Sequence, residues 1–327
     1  MHPPVLALLM MAFIVALAAG WAACFAFELL RHWNPELGTR RQIELERRTQ
    51  LVATVVAQVL LLQGLALLLM IHNAGRIAPL LVGAMCAFGS FNASVYGFPA
   101  LYAKLALFFG AGTWLALHRA DLVATDYPLT RRKYLFLLAL APVALADACL
   151  TLAYYIDLQP DTLTSCCGST FQADRPGLAA EVSAVEPRKA LWALAIGMAL
   201  VLAWGRGAKH SSWMAGGYAL VSAVFLGVAL VGMVAGISPY VYESPHHHCP
   251  FCLLEREYGY FGYALYAPLF TGASAGLSSG VLSMRPPSSL AAWLPTRAAQ
   301  LRRISMTGFL VFGVLAGVAV MMSDLRL

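Results

Sequence analysis

The segment SPHHHCPFCLLEREYGYFGY, residues 244–263, concentrates the side chains of this chain best suited to chemistry. His246, His247 and His248 run into Cys249 and Cys252 at C-x-x-C spacing, and Tyr258, Tyr260, Tyr263 and Tyr266 follow. A second pair, Cys166 and Cys167, stands in TLTSCCGST. Thiolates are the nucleophiles of disulfide exchange, and they are also soft ligands that hold Zn²⁺ or Cu⁺. The same residues therefore admit three chemistries: thiol redox, metal binding, or disulfides that tie two loops together in an oxidising compartment. The histidine triplet favours a metal, because a dithiol does not require three imidazoles, although one of them can accept a thiol proton. Four cysteines also meet the ligand count of an iron–sulfur cluster, but none of the usual cluster spacings is present.

The elements that position these residues are set by composition. Hydrophobic residues make up 60% of the 327 and charged residues only 12%, about half the charge of a typical soluble domain. The fold expected is an all-α integral membrane bundle, one polytopic domain over residues 1–327 in contact with the lipid bilayer. Apolar runs of about 20 residues fall near 5–30, 50–72, 98–118, 134–157, 189–205, 213–236, 258–282 and 304–323, giving eight spans. The first run has no Lys or Arg ahead of it and is too long for a signal-peptide core, so it reads as a span. Residues 77–97, IAPLLVGAMCAFGSFNASVYG, have a short apolar part and polar residues after it, which suits a re-entrant segment; a full crossing there would make nine spans.

Charge counting separates these alternatives. With eight spans, fifteen of the 22 Lys and Arg residues lie on one side of the membrane; with nine, the split is nearly even. The positive-inside rule therefore favours eight spans with both termini outside. Loops 158–187 and 237–257 then share the outer, periplasmic face of a bacterial inner membrane, and the net charge of +6 marks inner loops rather than a nucleic-acid surface.

Cys-Pro-Phe-Cys resembles the Cys-Pro-x-Cys active site of glutaredoxins over four residues, and nothing else in the chain looks like a thioredoxin fold. The arrangement is also similar to that of quinone-coupled disulfide-forming membrane proteins, bacterial or of the vitamin K epoxide reductase type. There a C-x-x-C at the outer end of a span exchanges electrons with a second pair in another outer loop. This chain is about twice their length and its second pair is adjacent. The resemblance implies Cys249 and Cys252 as the reactive pair, Cys166 and Cys167 as its exchanging or co-ligating partners, and a quinone as electron acceptor. The leading expectation is electron transfer between this Cys/His centre and a quinone, with a periplasmic thiol or electron-carrier protein as partner. Soft-metal handling is the alternative, with His246, His247, His248 and the four cysteines as ligands; a disulfide-stapled subunit among other membrane subunits is the third.

Other residues complete the expectation. The pair should stand at the amino terminus of the span near 258, where free N–H groups lower a thiol pKa. Tyr260 and Tyr263 form an aromatic floor beside which a quinone ring fits, and Asn92, Ser94 and Tyr96 of the re-entrant segment line a binding cavity. Asp147 lies mid-span and Lys104 nearer an end, where it can snorkel; they either pair or mark a proton or ion path. Cys24, Cys86 and Cys149 read as small packing residues, and His72 and His118 as interfacial residues. Gly272, Gly276 and Gly280 recur every four residues as a packing ridge.

Overall fold

In lipid, every backbone N–H and C=O must be satisfied within the protein, and an apolar run does so by forming a helix. The computed structural model describes residues 3–34, 39–159, 178–208 and 211–325. Among them there are helices and no strand: α1 (Pro3–His32), α2 (Arg40–Ile77), α3 (Ala87–Asn92), α4 (Gly97–Asp121), α5 (Thr130–Asp157), α6 (Leu178–Ser183), α7 (Pro187–Gly207), α8 (Ser212–Gly232), α9 (Ser238–Val241), α10 (Phe261–Ser283) and α11 (Trp293–Met322). Among the described residues, seven stretches are long and apolar enough to cross a membrane. Met10, Leu17, Trp21, Leu61 and Leu65 are more than half exposed on their helices, an outward apolar surface suited to lipid. The chain is an all-α membrane protein.

Two compact units make up the chain. In the first, α5 packs on α1 and α4, and its core runs through Val15, Ala22 and Leu29 of α1, Val52 and Leu60 of α2, Leu107 and Trp114 of α4, and Leu137 of α5. At the end of α4, Asp121 organises the start of α5. It accepts hydrogen bonds from the Leu129 amide at 2.8 Å, the Thr130 hydroxyl at 2.8 Å and the Lys133 ammonium at 2.6 Å. Of these only the Leu129 amide is a backbone donor, the one just ahead of the first turn of α5; the other two tie side chains of that turn to the end of α4.

In the second unit α8 packs against α7 and α10. α10 coincides with the apolar run near 258–282, yet it is not one of the seven most apolar stretches. The packing explains its composition. A Cβ on Gly272 would meet Phe309 of α11 at 2.9 Å, one on Gly276 would strike Ser222 of α8, and one on Gly280 would strike the backbone of Ala219. A helix so closely flanked carries glycine and serine where lipid-facing helices carry leucine.

Between α2 and α4 the chain forms a 3₁₀ turn (Ala78–Leu80) and the six-residue α3, a helix of about 9 Å. No helix long enough to cross a membrane lies there.

Candidate functional site

The second unit brings three cysteines together. Cys86, Cys249 and Cys252 are all buried, and their Sγ atoms lie within 4.8 Å of one another. Cys86 Sγ and Cys249 Sγ are 3.4 Å apart. Cys86, read from the sequence as a packing residue, thus joins the C-x-x-C pair. The join is made by aromatic packing: Phe251, inside Cys-Pro-Phe-Cys, has its ring 5.6 Å from Phe91 and 6.4 Å from Phe88, both on α3. Cys86 is the residue that opens α3, so docking α3 on Phe251 carries its thiol to the pair. The signal available in the sequence was topological: the eight-span expectation puts the re-entrant segment 77–97 on the same face as loop 237–257.

The span begins later in the chain than expected: α10 starts at Phe261, and Cys252 opens a separate three-residue 3₁₀ turn (Cys252–Leu254). Tyrosine hydroxyls fix the loop. Tyr242 donates to the Cys249 carbonyl at 2.5 Å, and Tyr266 to the Pro250 carbonyl at 3.0 Å. Tyr242 was missed in the sequence, where it is one aromatic among many. Burial, reinforced by the charge of Cys249, pushes the Tyr242 phenol well above its ordinary pKa, so it remains a donor.

The histidines divide. His246 is exposed. His247 stacks on Tyr242 with ring centroids 4.0 Å apart. His248 is buried, and its Nδ1 lies 3.1 Å from the Val234 carbonyl; a carbonyl only accepts, so Nδ1 is the protonated nitrogen. That carbonyl is free for a physical reason. Residues Met233–Ile237 form a π-helical turn whose N–H groups reach back five residues, as Ser238 N–H does to Met233. The next donor in the series would be residue 239, which is proline and has no N–H. His248 supplies the missing hydrogen bond and pins the loop to the end of α8. Burial lowers its pKa below the ordinary histidine value, with the Val234 and Pro245 carbonyls opposing that shift.

Cys166 and Cys167 fall outside the described residues. Tyr260 and Tyr263 are 53% and 43% exposed at the start of α10, their rings 6.3 Å apart. Asn92 and Tyr96 are exposed, whereas Ser90 and Ser94 are buried and bonded to the Ala74 carbonyl and Asp157.

In the first unit, Lys104 and Asp147 form an ion pair at 2.8 Å with neither side chain exposed, and the Thr151 hydroxyl donates to Asp147. Lys104 therefore pairs rather than snorkels. His118, in the last turn of α4, is buried against Trp114, its ring 5.1 Å away and nearly parallel.

No protein-family model, curated protein or solved structure matches this chain.

Proposed function

We propose that this chain is a metal-handling membrane protein whose soft-cation site is Cys86, Cys249 and Cys252. The observation that supports this reading is the convergence of three buried sulfurs within 4.8 Å of one another. With metal–sulfur bonds of about 2.3 Å, sulfurs sharing one ion lie about 3.8 Å apart in a tetrahedral site and about 4.0 Å apart in a trigonal one. The observed spacing brackets both. All-thiolate coordination selects Cu⁺ or Zn²⁺ over hard cations. Burial argues in the same direction: Cys249 is 0%, Cys86 1% and Cys252 8% exposed, and disulfide exchange with a partner protein needs access to the attacked sulfur. Tyr242, Tyr266 and His248 serve as the outer shell that holds the loop carbonyls and so orients the thiols.

The setting proposed is the outer face of a bacterial inner membrane, with α10 added to the seven apolar stretches to make eight crossings. Redox exchange with a quinone is the second reading. It rests on the 3.4 Å approach of Cys86 to Cys249 and on the exposed rings of Tyr260 and Tyr263, and it would use a thiol or electron-carrier protein as partner.

Elemental analysis with a free-thiol count, on full-length protein purified without chelator or reductant, separates the readings. About one equivalent of copper or zinc is expected. It should be lost in Cys86→Ser and Cys249→Ser and kept in Cys24→Ser and Cys149→Ser. Metal-free protein with a disulfide that a quinol reduces would replace the metal reading with the redox one, and metal-free protein with inert disulfides would sink both.

A further inference from the structure

The first unit contains a cavity of about 310 Å³, within the size range of small-molecule sites. It lies where the end of α1, the start of α2, the end of α4 and the start of α5 converge. Trp33 and Tyr127 contribute aromatic rings, and Glu46 of α2 contributes a carboxylate. Trp33 is buried, 8% exposed, and Tyr127 holds a left-handed backbone, φ 46°. A non-glycine residue in that region costs free energy, and such residues cluster at binding sites.

The chemistry of the lining selects the ligand. Its ammonium group, Lys133, is already held by Asp121 at 2.6 Å. Glu46 accepts a hydrogen bond from Gln42 at 2.9 Å, and among the described residues it forms none of the ion pairs. The Tyr127 hydroxyl accepts from the Gln50 amide at 2.7 Å, which leaves the Gln50 amide oxygen as a further acceptor. Thr49 Oγ1 and His118 Nδ1, on two lining residues, are buried without a hydrogen-bond partner. The wall thus offers a carboxylate, other acceptors and two aromatic faces, while its one cation is neutralised. A cation that also donates hydrogen bonds complements all three: charge-assisted bonds to the carboxylate and attraction to the ring faces.

We propose that this cavity binds a primary ammonium group, either of a free amine or of an aminophospholipid headgroup. The headgroup source fits the geometry, because the lining residues Thr54 and Leu122 are exposed where the apolar run of α2 begins. The inference is independent of the cysteine site.

The test uses full-length protein in nanodiscs. Ethanolamine is titrated calorimetrically, and native mass spectrometry compares retention of phosphatidylethanolamine with that of phosphatidylglycerol. Saturable ethanolamine binding, weakened about tenfold or more by Glu46→Gln and partly restored in Glu46→Asp, assigns the site to a free amine. Retention of phosphatidylethanolamine alone, lost in Glu46→Gln, assigns it to the headgroup. Preference for phosphatidylglycerol or inorganic phosphate, no binding of either amine, or binding unchanged in a folded Glu46→Gln protein overturns the proposal.

Discussion

At the scale of single residues, the buried charges carry the sharpest consequence. Lys104 and Asp147 sit inside the first unit with no exposed side-chain surface, where an unpaired charge is far costlier than a pair. Lys104→Met leaves the carboxylate alone and should cost about 3–5 kcal/mol, read as a fall in the denaturation midpoint of the detergent-solubilised protein. The double variant Lys104→Met/Asp147→Leu should recover most of that loss, because removing both charges removes the desolvation penalty with the attraction. Recovery would assign the pair to packing; a stable double variant that has lost an activity retained by the wild type would return Asp147 to a proton or ion path. The sequence exposed both residues as intramembrane charges but not their pairing, since they lie 43 positions apart and only the packing of α4 against α5 decides that they meet.

At the scale of elements, α3 decides the composition of the cysteine site. Six residues form no stable helix alone, so α3 is held by what it packs against, and Phe251 rests on both of its phenylalanines. Phe251→Ala should therefore weaken metal retention without touching a sulfur. The expected loss is about 10–100-fold in affinity, the size of an outer-shell effect, measured by competition with a chromophoric chelator. Accessibility of Cys86 to a maleimide should rise in parallel. If affinity and Cys86 reactivity both stay at the wild-type level, α3 is not what delivers this thiol. The π-turn before Pro239 works at the same scale: it frees one carbonyl, and His248 takes it. A histidine triplet beside a C-x-x-C reads as a ligand set, yet one member is spent as a pin because its protonated nitrogen faces a carbonyl.

At the scale of the whole molecule, the proposal that α10 crosses the membrane beside the seven apolar stretches predicts an even number of crossings and hence two termini on the same side. Reporter fusions at the amino and carboxyl ends should then give the same compartment signal, the one opposite to a reporter in the Arg- and Lys-rich loop 119–133. Termini on opposite sides would remove α10 or another helix from the set of crossings. The sequence by itself determined the class: 60% hydrophobic and 12% charged residues leave too little polar surface for a water-facing globule, and lipid then requires helices. It also determined most run boundaries to within about five residues, although α2 and α11 begin about ten residues before their apolar runs, together with the Cys249–Cys252 pair and the glycine ridge whose close contacts appear on α10. What only the tertiary structure decided was which distant side chains share one place. Cys86 lies 163 positions from Cys249, the rings of Phe88, Phe91 and Phe251 bring them together, and a periodicity read along one segment carries no information about which other segment packs beside it. The same holds for the cavity around Glu46, whose walls come from four separate stretches that are ordinary in isolation and complementary only once α1, α2, α4 and α5 are packed.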